Sequence, residues 1–527
     1  MKKYNIFKVL SIVLVLTMIT SYFVPATTIG YGSVSKGTAI PYGFADTFMN
    51  SITAVSAFAS TFLFIISVAI LYMILKTTDK YDAIVNNVAY KFQNKKNLFV
   101  VLTVLIFGLL TTITGELFSM IVFVPFVINV LEKLGYNKAS QVAVTIGSII
   151  LGFSGTMYTF YANQMLSTTF EDNLIYKILI SIISLISLLV FVLIFNKPEK
   201  VSVSKEKVNK TLPVKIIMGI IGLFVILGFT SWSTYFKFTG FDDFLETIKD
   251  AKLFKVSVFD ALIGQMAQPF GSFQLYNLTV LILFSTVVIS LIYRIKIDNI
   301  FEAVAKGIRK ALPYTVIALI AYTILVNSYQ VFYSIAISLV AKVHLNNIVY
   351  TSIVSSVILP DASYATQFAL TVLSTIKGAS NNSLLIQIVF QTIYSLALLV
   401  SPTSIILLLA LRFNNISYKS WIKYIYKFFV IVFIIDLIIL SIATSAETSS
   451  IVVLVVLLVI CLAVVINKNK DKFCKKTVKK TTVKKEEIKK EEVKKVENKT
   501  SNNTKKSNAK KNNSKTKKNN SKSKSKK

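Results

Sequence analysis

Histidine and cysteine are almost absent from this chain. Its 527 residues include one histidine, His344, and two cysteines, Cys461 and Cys474. Two cysteines cannot build a disulfide framework, and one histidine without a cysteine cluster offers no metal-ligand spacing. The sequence also lacks a phosphate-binding Gly-rich Lys-Ser/Thr loop and a nucleophile–base pattern. We therefore expect no enzyme, no cofactor and no ATP-driven pump.

Charged residues are also scarce outside the C-terminus. They make up 16% of the chain against 54% hydrophobic residues, and the mean hydropathy is +0.65, which is typical of membrane proteins. Much of the net charge of +33 lies in segment 468–527, with 25 lysines and six acids. This low-complexity tail cannot bury a core, so we expect disorder and attraction to anionic lipid headgroups. No interleaved aromatic residues favour a specific nucleic-acid partner.

Long apolar runs predict about ten membrane spans, because about 17–25 such residues cross a bilayer. The uninterrupted ones are 6–24, 52–75, 174–195, 214–230, 275–293, 313–343, 422–442 and 451–466. The lysine-rich short loops fall on one side, which places the protein in the cell membrane with both termini cytoplasmic. The first run could instead be a cleaved signal peptide, but its near-spanning length and the spans after it favour an uncleaved helix.

Two further apolar runs are interrupted. Gly152-Phe153-Ser154-Gly155-Thr156 breaks segment 139–166, and Ser401-Pro402-Thr403-Ser404 breaks segment 382–411. Lipid offers the freed backbone no hydrogen bonds, so such breaks must face protein or a cavity. Broken helices in the two halves of a chain are typical of secondary transporters, which bind substrates and coupling ions there.

A pair of apolar stretches with a polar tip precedes each broken segment. The first pair, 97–132, turns at Thr114-Gly115-Glu116 and is either a re-entrant hairpin or two full spans. The second pair, 346–377, turns at Pro360-Asp361-Ala362-Ser363 and is a candidate hairpin that opens to the opposite side. The repeated order predicts an all-α polytopic membrane protein, an inverted-repeat transporter with two re-entrant hairpins and two broken helices.

These patterns divide the chain into six parts. The predicted parts are a first span and external loop (1–50), a first inverted repeat (51–196), a linker region (197–312), a second inverted repeat (313–445), a last span (446–467) and the cytoplasmic tail (468–527). The linker region holds a cytoplasmic linker, two spans, an external loop and an amphipathic cytoplasmic segment, 297–312.

Hydroxyls and backbone groups at the breaks can replace an ion's hydration shell, and half-helix N-termini can face an anionic substrate. The candidate substrate- and ion-binding residues are Thr112, Glu116, Ser154, Gly155, Thr156, Asp361, Ser363, Ser401, Pro402, Thr403 and Ser404. Intramembrane carboxylates are functional candidates by default, so Glu116 and Asp361 are candidates for Na⁺ binding or proton exchange. The alternative is that the hydroxyls only satisfy the broken backbone and that the acids cap turns or face water.

Other polar and aromatic residues carry weaker signals. Asp436 is expected to play a structural role within reach of the outer surface. Gln391 and Asn163 are polar enough to contact a substrate. The aromatic residues around the tips, which either line the site or pack, are Tyr158, Phe160, Tyr161 and Tyr364.

Several stretches resemble the YfcC family of carriers. They are Phe23-Val24-Pro25-Ala26 with Ile40-Pro41, 107–112 with Gly115-Glu116, 301–313, and Ser401-Pro402-Thr403-Ser404 followed by 417–421. The family is similar to the DcuC-type dicarboxylate carriers of the ion transporter superfamily. The resemblance implies transport of a dicarboxylate or an amino acid, and pairing into homodimers.

The chain departs from the family pattern at its site motifs. Only Glu116 stands where adjacent acids are usual, Tyr158-Thr159 replaces an Asn-Pro pair, and Leu398 replaces an asparagine before Pro402. The resemblance therefore does not identify the substrate or the coupling ion. The sequence predicts a symporter or exchanger of a small organic anion or amino acid. The alternative is a non-transporting scaffold or receptor on a carrier fold that acts through its basic tail.

Overall fold

Apolar helices account for most of the chain that the structure describes. The structure is a computed structural model, and it describes residues 5–30, 33–157, 159–206, 210–253, 256–262, 264–265, 267–340 and 343–444. The predicted last span, 446–467, and the predicted tail, 468–527, lie outside the described residues. Tyr158 of the first predicted break also lies outside them.

The N-terminal part combines helices with one β-hairpin. Its elements are α1 (Asn5–Phe23), β1 (Pro25–Gly30), β2 (Ser33–Ala39), α2 (Phe44–Ala57), α3 (Ala59–Thr77) and α4 (Tyr81–Phe92). Strands β1 and β2 pair antiparallel with Thr27 opposite Lys36. The predicted span 52–75 is not one helix, because the chain leaves helical geometry at Phe58, between α2 and α3.

The first repeat contains a hairpin, a broken helix and a long helix. Its elements are α5 (Lys96–Thr114), a 3₁₀ turn (Ser119–Phe123), α6 (Val124–Lys133), α7 (Lys138–Val142), a π turn (Ala143–Gly147), α8 (Ser148–Ser154), α9 (Phe160–Leu166) and α10 (Leu174–Phe195). The two arms of the hairpin are unequal. Helix α5 has 19 residues and is long and apolar enough to cross a membrane, whereas α6 has 10.

The middle of the chain holds three long helices and several short elements. They are α11 (Leu212–Phe229), α12 (Trp232–Phe236), α13 (Gly240–Asp250), β3 (Lys252–Leu253), β4 (Val256–Ser257), α14 (Val258–Leu262), α15 (Leu275–Ile292) and α16 (Ile297–Leu339). Helix α16 joins two segments that the sequence predicts separately, the amphipathic segment 297–312 and the span 313–343. Its 43 residues extend about 65 Å, roughly twice the hydrocarbon thickness of a bilayer.

The continuity of α16 has a packing explanation. Pro313 lies inside the helix and removes one N–H donor, a loss that neighbouring helices can make tolerable. Ala303, Gly307 and Ala311 recur every four residues and are buried on one side. A Cβ at Gly307 would lie 2.8 Å from the Cα atom of Ile70, so the helix backbone rests directly on α3. The amphipathic segment therefore packs against protein.

The second repeat follows the same order of elements as the first. It consists of α17 (Leu345–Ile358), α18 (Ala362–Ser374), a 3₁₀ turn (Ser380–Asn382), α19 (Ser383–Leu398), α20 (Ile405–Phe413) and α21 (Tyr418–Ala443). The hairpin arms α17 and α18 have 14 and 13 residues. At 1.5 Å per residue each extends about 20 Å, too short to cross the hydrocarbon core of a bilayer alone.

Eight helices among the described residues are long and apolar enough to cross a membrane. They are α1, α3, α5, α10, α11, α15, α16 and α21. The prediction of an all-α polytopic membrane protein is thereby confirmed. The predicted total of about ten spans is counted differently. It includes the two broken segments, which are built from shorter helices, and the last span, which lies outside the described residues, and it leaves out α5, an arm of the first hairpin.

Packing brings the two broken helices together. Helix α8 contacts α5 and α10 within its own repeat and α19 of the other repeat. Helix α19 also packs against α17 and α21, and α9 packs against α18. Each break therefore lies among elements of both repeats.

Candidate functional site

The first helix break begins after Ser154 and ends where α9 starts. Its backbone groups are paired by partners from both repeats. The Met157 amide donates to the Thr112 carbonyl oxygen of α5 at 3.0 Å, and Gln391 of α19 donates from Nε2 to the Thr156 carbonyl oxygen at 2.6 Å. The break therefore satisfies the requirement that freed backbone at membrane depth be bonded to protein.

Glycines allow helix backbones to touch at this break. A Cβ at Gly152 would lie 2.1 Å from the carbonyl oxygen of Gly108, and a Cβ at Gly155 would lie 2.2 Å from that of Lys177. Neither position has room for a side chain. Small residues at helix contacts in membranes permit such close approach. The close packing of α8 against α10 therefore explains why a glycine stands at position 155, which the sequence analysis named as a candidate site residue.

Two of the predicted site hydroxyls already form hydrogen bonds between helices or within one helix. Thr112 Oγ1 lies 2.9 Å from the carbonyl oxygen of Gly152 and 2.5 Å from Ser181 Oγ, so it ties α5 to α8 and α10. Ser154 Oγ donates to the Leu151 carbonyl oxygen of its own helix at 2.7 Å. Both contacts match the structural alternative, in which hydroxyls satisfy broken or crowded backbone.

The second break is bonded to the end of hairpin arm α17. Ser401 Oγ donates to the Ser356 carbonyl oxygen at 2.6 Å, and Thr403 Oγ1 donates to the Val357 carbonyl oxygen at 2.7 Å. Pro402 lies between the two hydroxyl residues. Since the last carbonyls of a helix lack partners within it, these bonds fasten the broken helix to the hairpin.

Both breaks contain buried hydroxyls that have no hydrogen-bond partner among the described residues. They are Thr156 Oγ1 and Thr159 Oγ1 in the first break and Ser404 Oγ in the second. Thr156 and Ser404 are 0% exposed, and Ser404 lies immediately before α20. Leaving a buried polar group unpaired costs about 1–3 kcal/mol, so each unpaired hydroxyl indicates a place where a ligand could complete the hydrogen bonds.

Asp361 forms the tip of the second hairpin and starts α18. Its Oδ1 accepts from the backbone amides of Ser363 at 3.0 Å and Tyr364 at 3.5 Å, which is a helix N-cap. Its Oδ2 accepts from the Tyr322 hydroxyl at 2.6 Å, and that hydroxyl lies 3.0 Å from Thr61 Oγ1. Ser363 therefore contributes its backbone amide to this tip.

Glu116 forms the tip of the first hairpin, half-buried after the left-handed Gly115. Its Oε1 accepts from the Phe118 amide at 3.0 Å. The carboxylates of Glu116 and Asp361 are close enough to act on each other electrostatically. The two acids thus lie within electrostatic range of each other although more than 240 residues of sequence separate them.

Aromatic rings enclose the Asp361 tip. The ring of Phe58 stacks on Tyr322 with centroids 3.9 Å apart and meets Tyr364 edge-on at 4.6 Å. Of the aromatic residues singled out from sequence, Tyr364 is therefore in this cluster. Phe58 and Tyr322 are additions that only the fold supplies.

Asp436 is buried between helices. It is 0% exposed, because α21 packs against α10, and Ser184 Oγ donates to its Oδ1 at 3.4 Å. Its Oδ2 has no hydrogen-bond partner in the described part of the chain. Whether Asp436 lies within reach of the outer surface stays a prediction, because burial between helices does not give its depth in the membrane.

Sequence reasoning missed Lys177 and Gln387 and placed little weight on Gln391. Lys177 is 1% exposed, and its amine donates to the Met157 carbonyl oxygen in the first break at 3.3 Å. A lysine in an otherwise uncharged 22-residue helix was the available signal. In the described residues, no three histidine, cysteine or carboxylate side chains gather as a metal-ligand set.

Comparison with known proteins adds little. No family model and no curated protein matches the chain. Among solved structures, the chain is similar to the YdaH transporter of Alcanivorax borkumensis, whose crystal structure is described as having an unusual topology. The similarity has a TM-score of 0.37 and 10% identity, and covers 84% of this chain and 97% of that one.

Proposed function

We propose that this protein is a secondary active transporter, a symporter or exchanger, that moves a small organic anion or amino acid across the cell membrane. The observation that carries the proposal is the packing of the two broken helices against each other, through α8 and α19, in a fold whose two hairpin tips each carry a carboxylate. Broken helices and polar tips at membrane depth are the parts with which such carriers hold substrate and ion.

The two acids supply a reason for ion coupling. Glu116 and Asp361 lie within electrostatic range of each other, at the tips of hairpins packed among apolar helices. Two ionised carboxylates in such surroundings repel each other, and a bound Na⁺ or proton would reduce that repulsion. We therefore propose the pair as the coupling-ion site.

The second break supplies a reason for anion binding. Ser404 stands immediately before α20, a helix of nine residues, and its buried hydroxyl is unpaired. The N-terminus of a helix favours negative charge, and a hydroxyl there can donate to a bound carboxylate. The resemblance to the YfcC and DcuC-type carriers supports the same substrate class, and a homodimer with cytoplasmic termini is part of the proposal.

The scaffold or receptor function stays as the alternative. It is favoured by the contacts of Thr112, Ser401 and Thr403, because each of these hydroxyls already bonds another helix. A membrane anchor that displays a basic tail would use such contacts for packing alone. The scaffold or receptor function would not explain why buried hydroxyls are left unpaired or why the hairpin tips carry two acids.

Uptake into liposomes by the purified protein tests the proposal. We expect one member of a panel of dicarboxylates and amino acids to accumulate under an imposed Na⁺ or proton gradient. Glu116→Gln should lower that uptake about tenfold or more, since a contact to a charged group is worth about 1.5–3 kcal/mol. Thr403→Ala should lower both uptake and the melting temperature, because it removes a bond between the broken helix and α17.

Glu132→Gln is the matched control for Glu116→Gln. Glu132 belongs to the same hairpin but is exposed on α6, so its neutralisation should leave uptake unchanged. Folded protein that takes up no compound under either gradient would contradict the transport proposal and favour the scaffold.

A further inference from the structure

Lys177 is a buried cation with few partners among the described residues. It is the fourth residue of α10, and its ammonium carries three donors but makes one hydrogen bond within the described part of the chain, 3.3 Å to the Met157 carbonyl oxygen. Among the described residues no carboxylate lies within ion-pair distance of it, and Asp172 acts on it only from farther away. Asp172 is itself bonded to Thr169. A buried charge in a membrane protein calls for a counter-charge.

Helices α10 and α19 approach the first break from two sides. Asn173 Nδ2, at the start of α10, donates to the Leu384 carbonyl oxygen at the start of α19, at 3.1 Å. One turn farther along α10, Lys177 binds the Met157 carbonyl. Two turns farther along α19, Gln391 binds the carbonyl of the preceding residue, Thr156. The two side chains thus hold consecutive carbonyls of the break.

Unpaired polar atoms lie beside these contacts. Thr156 Oγ1 has no partner among the described residues, and neither has Gln387 Oε1, although Gln387 is 1% exposed. Gln387 uses only its amide nitrogen, which donates to Thr168 Oγ1 at 2.9 Å. One hydroxyl and one carbonyl oxygen are therefore free to bind a ligand.

A cavity lies beside residues that Gln387 contacts. It encloses about 350 Å³ and is lined by Asn163, Gln164, Thr168, Thr169, Phe170, Glu171, Thr234 and Lys237. Two of its walls, Asn163 and Thr168, are the residues to which the Gln387 amide is bonded, at 3.4 and 2.9 Å. Gln387 therefore lies behind this part of the cavity wall, and the volume of the cavity suits a small molecule.

We propose that Lys177 binds the carboxylate of the transported compound at the first helix break, with Thr156 donating to the same carboxylate. This inference rests on the proposed transport function, and it places the carboxylate at the first break and not beside Ser404 of the second. Gln387 Oε1 can only accept, so the compound also carries an N–H or O–H donor near its carboxylate. The substrate class is therefore a small amino or hydroxy carboxylic acid.

Thermal stabilisation of the purified full-length protein by added compounds tests the proposed carboxylate site without a transport assay. The probes are butyrate, 2-aminobutyrate, 2-hydroxybutyrate, succinate and butylamine, which share a four-carbon skeleton. We expect the amino or hydroxy acid to raise the melting temperature most and butylamine to have no effect. Lys177→Met should increase the concentration for half-maximal stabilisation at least about tenfold, and Lys177→Arg should restore much of the binding.

Lys215→Met is the control for Lys177→Met. Lys215 is likewise the fourth residue of a long apolar helix, α11, but it is exposed, so its replacement should leave binding unchanged. Thr156→Val keeps the inference testable if Lys177→Met fails to fold. It removes a hydroxyl that has no partner in the described structure, so the free protein should melt no lower while carboxylate binding weakens several-fold.

The outcomes separate this inference from the transport proposal. Equal carboxylate binding by wild type and Lys177→Met, or no stabilisation by any carboxylate, overturns the role of Lys177 even if uptake occurs. Stabilisation that depends on Lys177 without uptake of any compound supports the carboxylate site and counts against transport.

Discussion

Gly152→Ala is expected to disrupt the fold around the first break. The added Cβ would lie 2.1 Å from the Gly108 carbonyl oxygen and 2.8 Å from the carbonyl carbon and Cα of Gly108. All three are backbone atoms, so no side chain can move aside, and α8 must separate from α5. Overpacking typically costs about 1–3 kcal/mol, and a rigid backbone contact should lie at or above the upper end. The measurement is the melting temperature of the purified protein in detergent.

Gly219→Ala is the matched control. Gly219 is exposed on α11, and a Cβ there would meet nothing within 4 Å. The same change should therefore leave the melting temperature unchanged or raise it slightly, since alanine favours a helix over glycine by about 1 kcal/mol. Equal melting temperatures for Gly152→Ala and wild type would show that α5 and α8 do not touch as described.

Asp361→Asn is expected to abolish gradient-driven uptake while the protein stays folded. Asparagine caps helices about as well as aspartate, so the start of α18 should persist. The change removes the negative charge that the proposed ion site needs, and a loss of about 100-fold in uptake would correspond to about 2.7 kcal/mol. Uptake into liposomes checks the loss of transport, and the melting temperature, measured in parallel, checks that the protein stays folded.

Two companion variants distinguish the roles of the three hydrogen bonds that the Asp361 carboxylate accepts. Asp361→Ala removes the cap as well as the charge, so it should also lower stability by about 1 kcal/mol. Tyr322→Phe removes the hydroxyl that donates to Oδ2 at 2.6 Å and leaves the cap and the charge in place. We expect it to weaken uptake less than Asp361→Asn. Gradient-driven uptake by Asp361→Asn at the wild-type rate would contradict the coupling role of Asp361.

Much of the helical framework follows from local sequence. The predicted span 174–195 has the same bounds as α10, and the predicted spans 275–293 and 422–442 lie within a few residues of α15 and α21. Long apolar runs determine such helices because they must satisfy their own backbone groups in lipid. Both breaks were also predictable, since Gly155 and Pro402 interrupt apolar segments.

Other parts of the framework depend on contacts with neighbours. Pro313 indicates a boundary when read locally, yet α16 continues through it because a stripe of small residues rests on α3. The break at Phe58 has no local breaker residue, and there the ring stacks on Tyr322 of α16. Interactions between distant segments outweigh local preference at both places.

For the candidate site, the sequence by itself determined the two breaks, the polar tips and the acids Glu116 and Asp361. Only the tertiary structure determined which hydroxyls have hydrogen-bond partners. It also showed which ones, such as those of Thr156 and Ser404, have none among the described residues. It also decided that Lys177 faces the first break. The physical reason is that the hydrogen-bond partner of a buried side chain often belongs to another helix. The sequence shows which residue types are present, but only the packing of the helices shows which of them are within hydrogen-bond distance.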